Sequence, residues 1–266
     1  WPPGRALYLP QEKWKAPAPL EDVRRQLGRG LRWSAFGQTV VQVGQIPLTL
    51  LLVRLLTPGD FGVVGQVAVF TGVAYLLADF GLGVAIVQQK ELTDEQLSSV
   101  FWLNVVVGVG FSLIYAAAAP FIARFYGDPA LVPITIAVGL AFVMTSLRVV
   151  HSNLLRRAMN FRHLAAMDAL SAIGSLAGAV VLAWWGAGVW ALVAQRLLRA
   201  GLPAAALWLT VRWRPRWTFR FAPIRGMLRF GGYLLAFNFL NYSVRNADNM
   251  LIGKVWGEHI LGLYMR

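Results

Sequence analysis

The sequence predicts an all-α fold, a polytopic transmembrane helical bundle holding a first six-helix lobe and the start of a second, similar lobe. Three observations predict it. Apolar residues make up 57% of the chain, only 14% is charged, and the mean hydropathy is +0.56, whereas an average soluble domain has roughly a quarter of its residues charged. The apolar residues gather in runs near or above the ~20 residues that carry a helix across a bilayer. The basic residues fall mainly between those runs.

The elements follow in order. Residues 1–19 are Pro-rich and mixed in polarity, with no apolar core of the kind a cleavable signal peptide needs. At 20–32 (LEDVRRQLGRGLR), Leu20, Val23, Leu27 and Leu31 share one helical face among Arg24, Arg25, Arg29 and Arg32. That pattern reads either as an interfacial helix on anionic headgroups or as a solvated basic leader. Seven spans are expected at 33–56, 61–87, 97–121, 131–150, 164–185, 189–211 and 230–256. Thr57-Pro58-Gly59-Asp60, Gly127-Asp128-Pro129 and Gly186-Ala187-Gly188 supply breaks between them. An eighth helix would begin at Ile260, and the chain, running from Trp1 to Arg266, is expected to be a fragment. The predicted organisation is a cytoplasmic tail and interfacial helix (1–32), a first transmembrane lobe (33–211), a basic cytoplasmic linker (212–229) and a truncated second lobe (230–266).

The net charge of +13 raises nucleic acid as a partner, but topology accounts for it first. The leader, the second-to-third loop (Lys90), the fourth-to-fifth loop (Arg148, Arg156, Arg157, Arg162) and the linker (Arg212, Arg214, Arg216, Arg220, Arg225, Arg229) together hold eighteen Lys/Arg. The opposite loops hold Arg54 and Arg124. Positive residues resist translocation, so the N-terminus and the basic loops are predicted to be cytoplasmic. No nucleic-acid partner is expected. The absence of cysteine excludes a disulfide framework and thiolate chemistry, and His151, His163 and His259 have no metal-ligand spacing. No cofactor and no metal are expected, and no catalytic constellation is visible.

Polar residues inside apolar spans are the candidate site, since a charge at the bilayer centre costs about 2.5–3.5 kcal/mol on insertion scales. In the seventh span Asn238, Asn241, Arg245, Asp248 and Asn249 recur at helical spacing along one face. Arg245 and Asp248, three apart, can pair. Such a stripe lines a hydrated cavity or forms a buried ion pair that fixes packing. The first span carries Gln38, Gln42, Gln45 and Thr49, with Arg54 near its end. At a constant offset of 200 residues, Gln38 matches Asn238, Gln45 matches Arg245, Thr49 matches Asn249, Arg54 matches Lys254 and Gly62 matches Gly262. The seventh span therefore reads as a restart of the first, as in carriers built from two similar lobes.

Arg196 and Arg199 sit three apart in the sixth span, roughly 10–15 Å below the outer surface at 1.5 Å per residue, a depth that favours a cavity. Asp79, before Phe80-Gly81-Leu82-Gly83, reads either as a structural acceptor or as a carboxylate that couples an ion; Asp248 is a second coupling candidate. Gly174 and Gly178 form a GxxxG pair for close helix approach. Gly108 and Gly110 read as packing positions. Trp184, Trp185, Trp213 and Trp217 read as interfacial anchors, and Glu91, Asp94 and Glu95 as a solvated cap for the third span.

Several segments together resemble bacterial polysaccharide flippases of the multidrug, oligosaccharidyl-lipid and polysaccharide exporter superfamily. They are GLRWSAFG (30–37), RLLTPGDFG (54–62), DFGLGVAIVQ (79–88), LLRRAMNF (154–161), AQRLLR (194–199) and RNADNMLIGKVWGEHILGLY (245–264). The resemblance implies a two-lobed, multi-pass protein of the bacterial inner membrane with an alternately open central cavity. It implies a substrate in which an oligosaccharide is carried on undecaprenyl pyrophosphate, with membrane lipids and polysaccharide polymerase and assembly proteins as partners. Amides such as Gln38, Gln42, Asn238 and Asn241 suit sugars. Arginines such as Arg196, Arg199 and Arg245 suit a pyrophosphate. Two alternatives stand beside a flippase: an ion-coupled small-molecule exporter of the same superfamily, which four intramembrane cations disfavour, and a protein of a different class, a membrane-embedded transferase or a non-transporting scaffold of a polysaccharide assembly complex.

Overall fold

A computed structural model describes residues 41–67 except 58, 92–229 except 227, and the isolated positions 83, 86, 87, 89, 232, 233, 236, 237 and 240. Its helices are α1 (Val41–Leu55) and α2 (Gly59–Val67), α3 (Asp94–Tyr126), α4 (Leu131–Arg157), α5 (Phe161–Trp184) and α6 (Val189–Thr210). The fold is all-α. Of these, α3, α4 and α5 are each long and apolar enough to cross a membrane, and α1 with α2 forms a broken pair of that character. Arg196 and Arg199 leave α6 less apolar, although it runs for 22 residues.

Each break has a local cause. Between α1 and α2 the Thr57 N–H and hydroxyl both donate to Asp60 Oδ2 (2.9 and 2.7 Å), while the Asp60 N–H donates back to Thr57 Oγ1 (3.3 Å). This reciprocal capping satisfies donors at the start of α2. Thr93 and Gln96 form the same device for α3 (3.0 and 3.2 Å). At the other end of α3, Gly127 takes φ 71°, and its N–H reaches the last carbonyls of the helix, a role suited to glycine.

Packing is pairwise: α3 lies along α4, α5 along α6, and α4 also packs on α6. Small residues set the closest approaches. A Cβ on Gly178 would stand 2.6 Å from Leu198 Cδ1, and one on Gly174 would stand 3.0 Å from Leu202 Cδ1. The GxxxG pair of α5 therefore receives two leucines of α6. A Cβ on Gly108 would meet Ser146 Cβ at 2.7 Å and the Phe142 carbonyl at 2.9 Å, whereas among the described residues nothing lies within 4 Å of one on Gly110. The Tyr115 hydroxyl donates to the Val67 carbonyl (2.8 Å) and the Trp208 indole to the Leu147 carbonyl (3.1 Å), tying α3 to α2 and α6 to α4.

Two features go beyond the sequence expectation. First, α4 continues past residue 150 to Arg157, so Arg148, Arg156 and Arg157 lie on a helix rather than in a loop. The apolar run ends earlier than the helix does, because hydropathy marks membrane thickness and not backbone conformation. Second, the basic linker is docked. Ile224 is fully buried with Leu97, Phe101, Val150 and Leu154. The Arg216 and Arg220 N–H groups donate to Ser98 and Ser99 (3.0 Å each), and the Trp102 indole donates to the Arg216 carbonyl (2.8 Å). Arg216 and Arg220 also reach Asp94 (3.5 Å) and Glu95 (2.8 Å), so these acids cap α3 and hold the linker as well. Trp213 is not a free anchor: its ring packs on His151 and Phe101. Trp184, Trp185 and Trp217 are exposed (77%, 78% and 89%).

Candidate functional site

The site is a cleft of about 940 Å³ walled by α4, α5, α6 and the start of α1. On α5 the residues Phe161, Leu164, Ala165, Asp168, Ser171 and Ala172 line it, a spacing of three and four that keeps one helical face turned inward. From α4 come Arg148, Asn153 and Arg156, from α6 Arg199, and from α1 Val41 and Gln42. The turn joining α4 to α5 forms the rim of one end: Met159 adopts φ 54°, and the Asn160 side chain accepts the His163 N–H at the start of α5 (3.3 Å). We call that end, with Arg156, Met159 and Phe161, the mouth.

Depth can be read from the helices. The Ser171 hydroxyl donates to the Arg199 carbonyl (2.8 Å), which sets Arg199 level with Ser171. Ten residues separate Ser171 from Phe161, about 15 Å along the axis and about half of a ~30 Å hydrocarbon core. The cleft therefore reaches from one helix end to mid-bundle. Three arginines and one aspartate line it, with the amides of Gln42 and Asn153. Such a chamber favours an anion with hydrogen-bonding appendages.

Neighbouring arginines have different duties. The Arg157 guanidinium donates to the carbonyls of Ile86 (3.0 Å) and Gln89, binding α4 to the segment before α3. Arg156, next in sequence, is exposed and faces the cleft. Asn153 presses against the second span as well, since a Cβ on Gly83 would stand 2.5 Å from its Nδ2. Space for that amide is one reason for a glycine there.

Among the residues singled out from sequence, Gln42 and Arg199 meet in the cleft. Gln45 and Arg196 are half-buried and are not among its lining residues. Gln38, Asp79, Asn238, Asn241, Arg245, Asp248 and Asn249 lie outside the described residues. Arg148, Asn153 and Asp168 were not foreseen as site residues; Arg156, with Arg157, Arg162 and His163, was expected to set topology, with lipid-headgroup binding as the alternative. The arginines carried a sequence signal only as part of the basic fourth-to-fifth segment, where a topological role explained them. Among the described residues no group of three His, Asp or Glu could hold a metal ion.

Comparison with known proteins adds the context. A family described as "Polysaccharide biosynthesis protein" matches residues 51–266. The teichuronic acid biosynthesis protein TuaB of Bacillus subtilis is 25% identical over 247 residues, covering 92% of this chain and 51% of that protein. The lipopolysaccharide biosynthesis protein WzxC of Escherichia coli is 25% identical over 249 residues (91% and 50%). The succinoglycan biosynthesis transport protein ExoT of Rhizobium meliloti is 26% identical over 237 residues (89% and 48%). The chain thus spans about half the length of these relatives. No solved structure matches it.

Proposed function

The chain belongs to the polysaccharide biosynthesis protein family, and from that membership we propose that it is part of a carrier that moves a lipid-linked oligosaccharide across the bacterial inner membrane. The observation that carries the proposal is the cleft in which Arg148, Arg156 and Arg199 converge between apolar helices and reach mid-bundle. A headgroup built from a pyrophosphate and sugars, as in an undecaprenyl-linked repeat unit, needs both fixed cations and amides. Arg148, Arg156 and Arg199 would hold the phosphate oxygens, for which the guanidinium fork is suited, and Gln42 and Asn153 would bind sugar hydroxyls. The lipid tail would stay in the bilayer while the headgroup passes.

In this proposal the mouth is cytoplasmic, because positive residues resist translocation and the arginine-rich loop and linker lie at that end. Alternating access requires a second lobe, to which the stripe of Asn238, Asn241, Arg245, Asp248 and Asn249 would contribute. Chemistry on the substrate is not part of the role, and polymerase and assembly proteins would take the product on the far side.

The test is replacement of Arg148, Arg156 and Arg199 together by Gln in the complete protein, with membrane level confirmed. The expected result is loss of surface polysaccharide. Normal polysaccharide at normal protein level would remove the anionic headgroup from the proposal.

A further inference from the structure

Three helices of the bundle end in the same closure, and one of them departs from the residue that closure prefers. After α3, the Gly127 N–H donates to the Arg124 carbonyl (3.3 Å) and the Asp128 N–H to the Ala123 carbonyl (3.0 Å). After α5, the Gly186 and Ala187 N–H groups repeat the pattern on the carbonyls of Ala183 and Leu182 (3.0 Å each). After α4, Met159 and Asn160 repeat it on Arg156 (3.0 Å) and Leu155 (2.9 Å). The closure puts its pivotal residue in the left-handed region, with φ 71° at Gly127, 81° at Gly186 and 54° at Met159. That region crowds a Cβ against the following carbonyl, so glycine is its ordinary occupant. Among the described residues Met159 is the sole non-glycine residue with a positive φ. The surroundings of the pivots differ as well. Nothing among the described residues lies within 4 Å of a Cβ built on Gly127 or Gly186, whereas Met159 lines the cleft.

Glycine would make this turn with less strain, and strain of this kind clusters at ligand sites. The neighbours of Met159 at the rim are apolar. Val87 is brought to that end by Arg157, whose guanidinium holds the carbonyls of Ile86 and Gln89 on either side of it. Phe161 opens α5, and Leu164 and Ala165 follow one turn further in. Arg156 shares the rim, and the cleft continues inward from it. We propose that Met159, Val87, Phe161 and Leu164 seat the first part of the isoprenyl chain of the lipid-linked cargo, so that the diphosphate enters past Arg156 while the chain stays at the rim. The inference deepens the reading of the cleft as a headgroup path and rests on it. A headgroup alone has no use for an apolar rim. A diphosphate joined to a chain needs charge and apolar surface side by side, with the apolar surface outermost. The thioether of Met159 suits that use, because an unbranched, polarizable side chain adapts to a sliding chain. An ordinary phospholipid also joins phosphate to chain, but it carries no oligosaccharide to occupy the space beyond Arg156, in a cleft of about 940 Å³. The cargo fits both parts.

The experiment is calorimetric binding to the purified complete protein in phosphatidylcholine nanodiscs, with the signal of empty discs subtracted. The probes are farnesyl diphosphate, inorganic pyrophosphate and dihexanoyl phosphatidic acid. Wild type should bind farnesyl diphosphate on the order of tenfold more tightly than pyrophosphate, as burial of part of a chain provides. Met159→Gly should cancel most of that gain and leave pyrophosphate binding unchanged. It should also melt no lower than wild type, because the left-handed pivot is relieved. Met159→Leu should bind farnesyl diphosphate like wild type. A merely structural methionine would lower the melting temperature or affect both diphosphates alike, so the split between probes is the signature. If Met159→Gly fails to reach the membrane, Met159→Asn, also tolerated in the left-handed region, makes the same test. Equal affinity of wild type for the two diphosphates, or a Met159→Gly protein that keeps the gain from the chain, would overturn the seat and leave the headgroup path standing. Phosphatidic acid bound as tightly as farnesyl diphosphate, and weakened by the same substitution, would assign the rim to bulk phospholipid and overturn its assignment to the cargo. If wild type binds neither diphosphate, the headgroup path fails and this inference with it.

Discussion

Arginines crowd one end of this bundle, and two groups of them can be compared. Arg157 is bound to the carbonyls of Ile86 and Gln89. Arg214 lies over the Trp208 ring (5.3 Å), and Arg216 and Arg220 are paired with Asp94 and Glu95. This first group fastens the linker and the helix ends to one another. Arg148, Arg156 and Arg199 instead line a cleft. Topology rules count both groups alike, because both sit where positive charge belongs. The difference teaches that position along the chain does not separate an arginine that holds the fold from one that lines a cleft. The separation is made by what the neighbouring helices offer each guanidinium.

The contrast predicts opposite phenotypes, and the largest effect on stability belongs to the linker's apolar peg. Ile224 is fully buried among Leu97, Phe101, Val150 and Leu154. Ile224→Ala should lower stability by roughly 2–5 kcal/mol, the usual range for emptying a core site, measured as earlier melting of the detergent-solubilised complete protein. Pyrophosphate binding by the fraction that remains folded should be unchanged. If the folded Ile224→Ala protein lost its anion, the linker and the cleft would not be separate devices.

Next come two adjacent residues on α4. Arg157→Gln removes charge-assisted bonds to two carbonyls and should cost about 1.5–3 kcal/mol, with anion binding retained. Arg156→Gln should leave melting within about 0.5 kcal/mol, as for an exposed surface change, and weaken pyrophosphate binding. The same pair of assays applied to both variants sharpens the comparison. An exchange of the two phenotypes would reverse the assignment.

These paired effects also mark what could be read from sequence. The starts of α3 and α5 lie three residues before expectation, and the end of α5 and both ends of α6 within one, while α3 runs five residues past its expected end; Thr93, Gly127 and the Gly186–Gly188 turn are signals local to the chain. Gln42 and Arg199 stood out because an amide or a guanidinium in an apolar span has few uses. Arg156 and Arg157 could not be told apart, because Ile86 and Gln89 are about seventy residues away and approach only in the folded bundle. Asp168 carried a weak signal, one acid four residues into the expected span at 164–185, and that position reads as ordinary until Arg148 and Arg199 join it in lining one cleft. Trp213 was legible as an aromatic near a span end, but its partner His151 belongs to another helix. Short-range chemistry was legible, and convergence between helices was not.

The smallest effect concerns the two ion pairs of the linker. Arg216 and Arg220 are exposed (68% and 73%) opposite Asp94 and Glu95, and pairs of that kind contribute a median of about 0–1 kcal/mol each, less at high salt. Replacing both arginines with Gln leaves their backbone N–H groups bonded to Ser98 and Ser99, because any residue other than proline supplies that donor. The double variant should therefore melt within about 1 kcal/mol per pair of wild type, and adding salt should shrink the difference. A larger, salt-sensitive loss would mean that charge rather than Ile224 and the two serines holds the linker down. The division between fastening and cleft-lining arginines would then rest on electrostatics at both sites, and the first group would deserve testing against pyrophosphate as well.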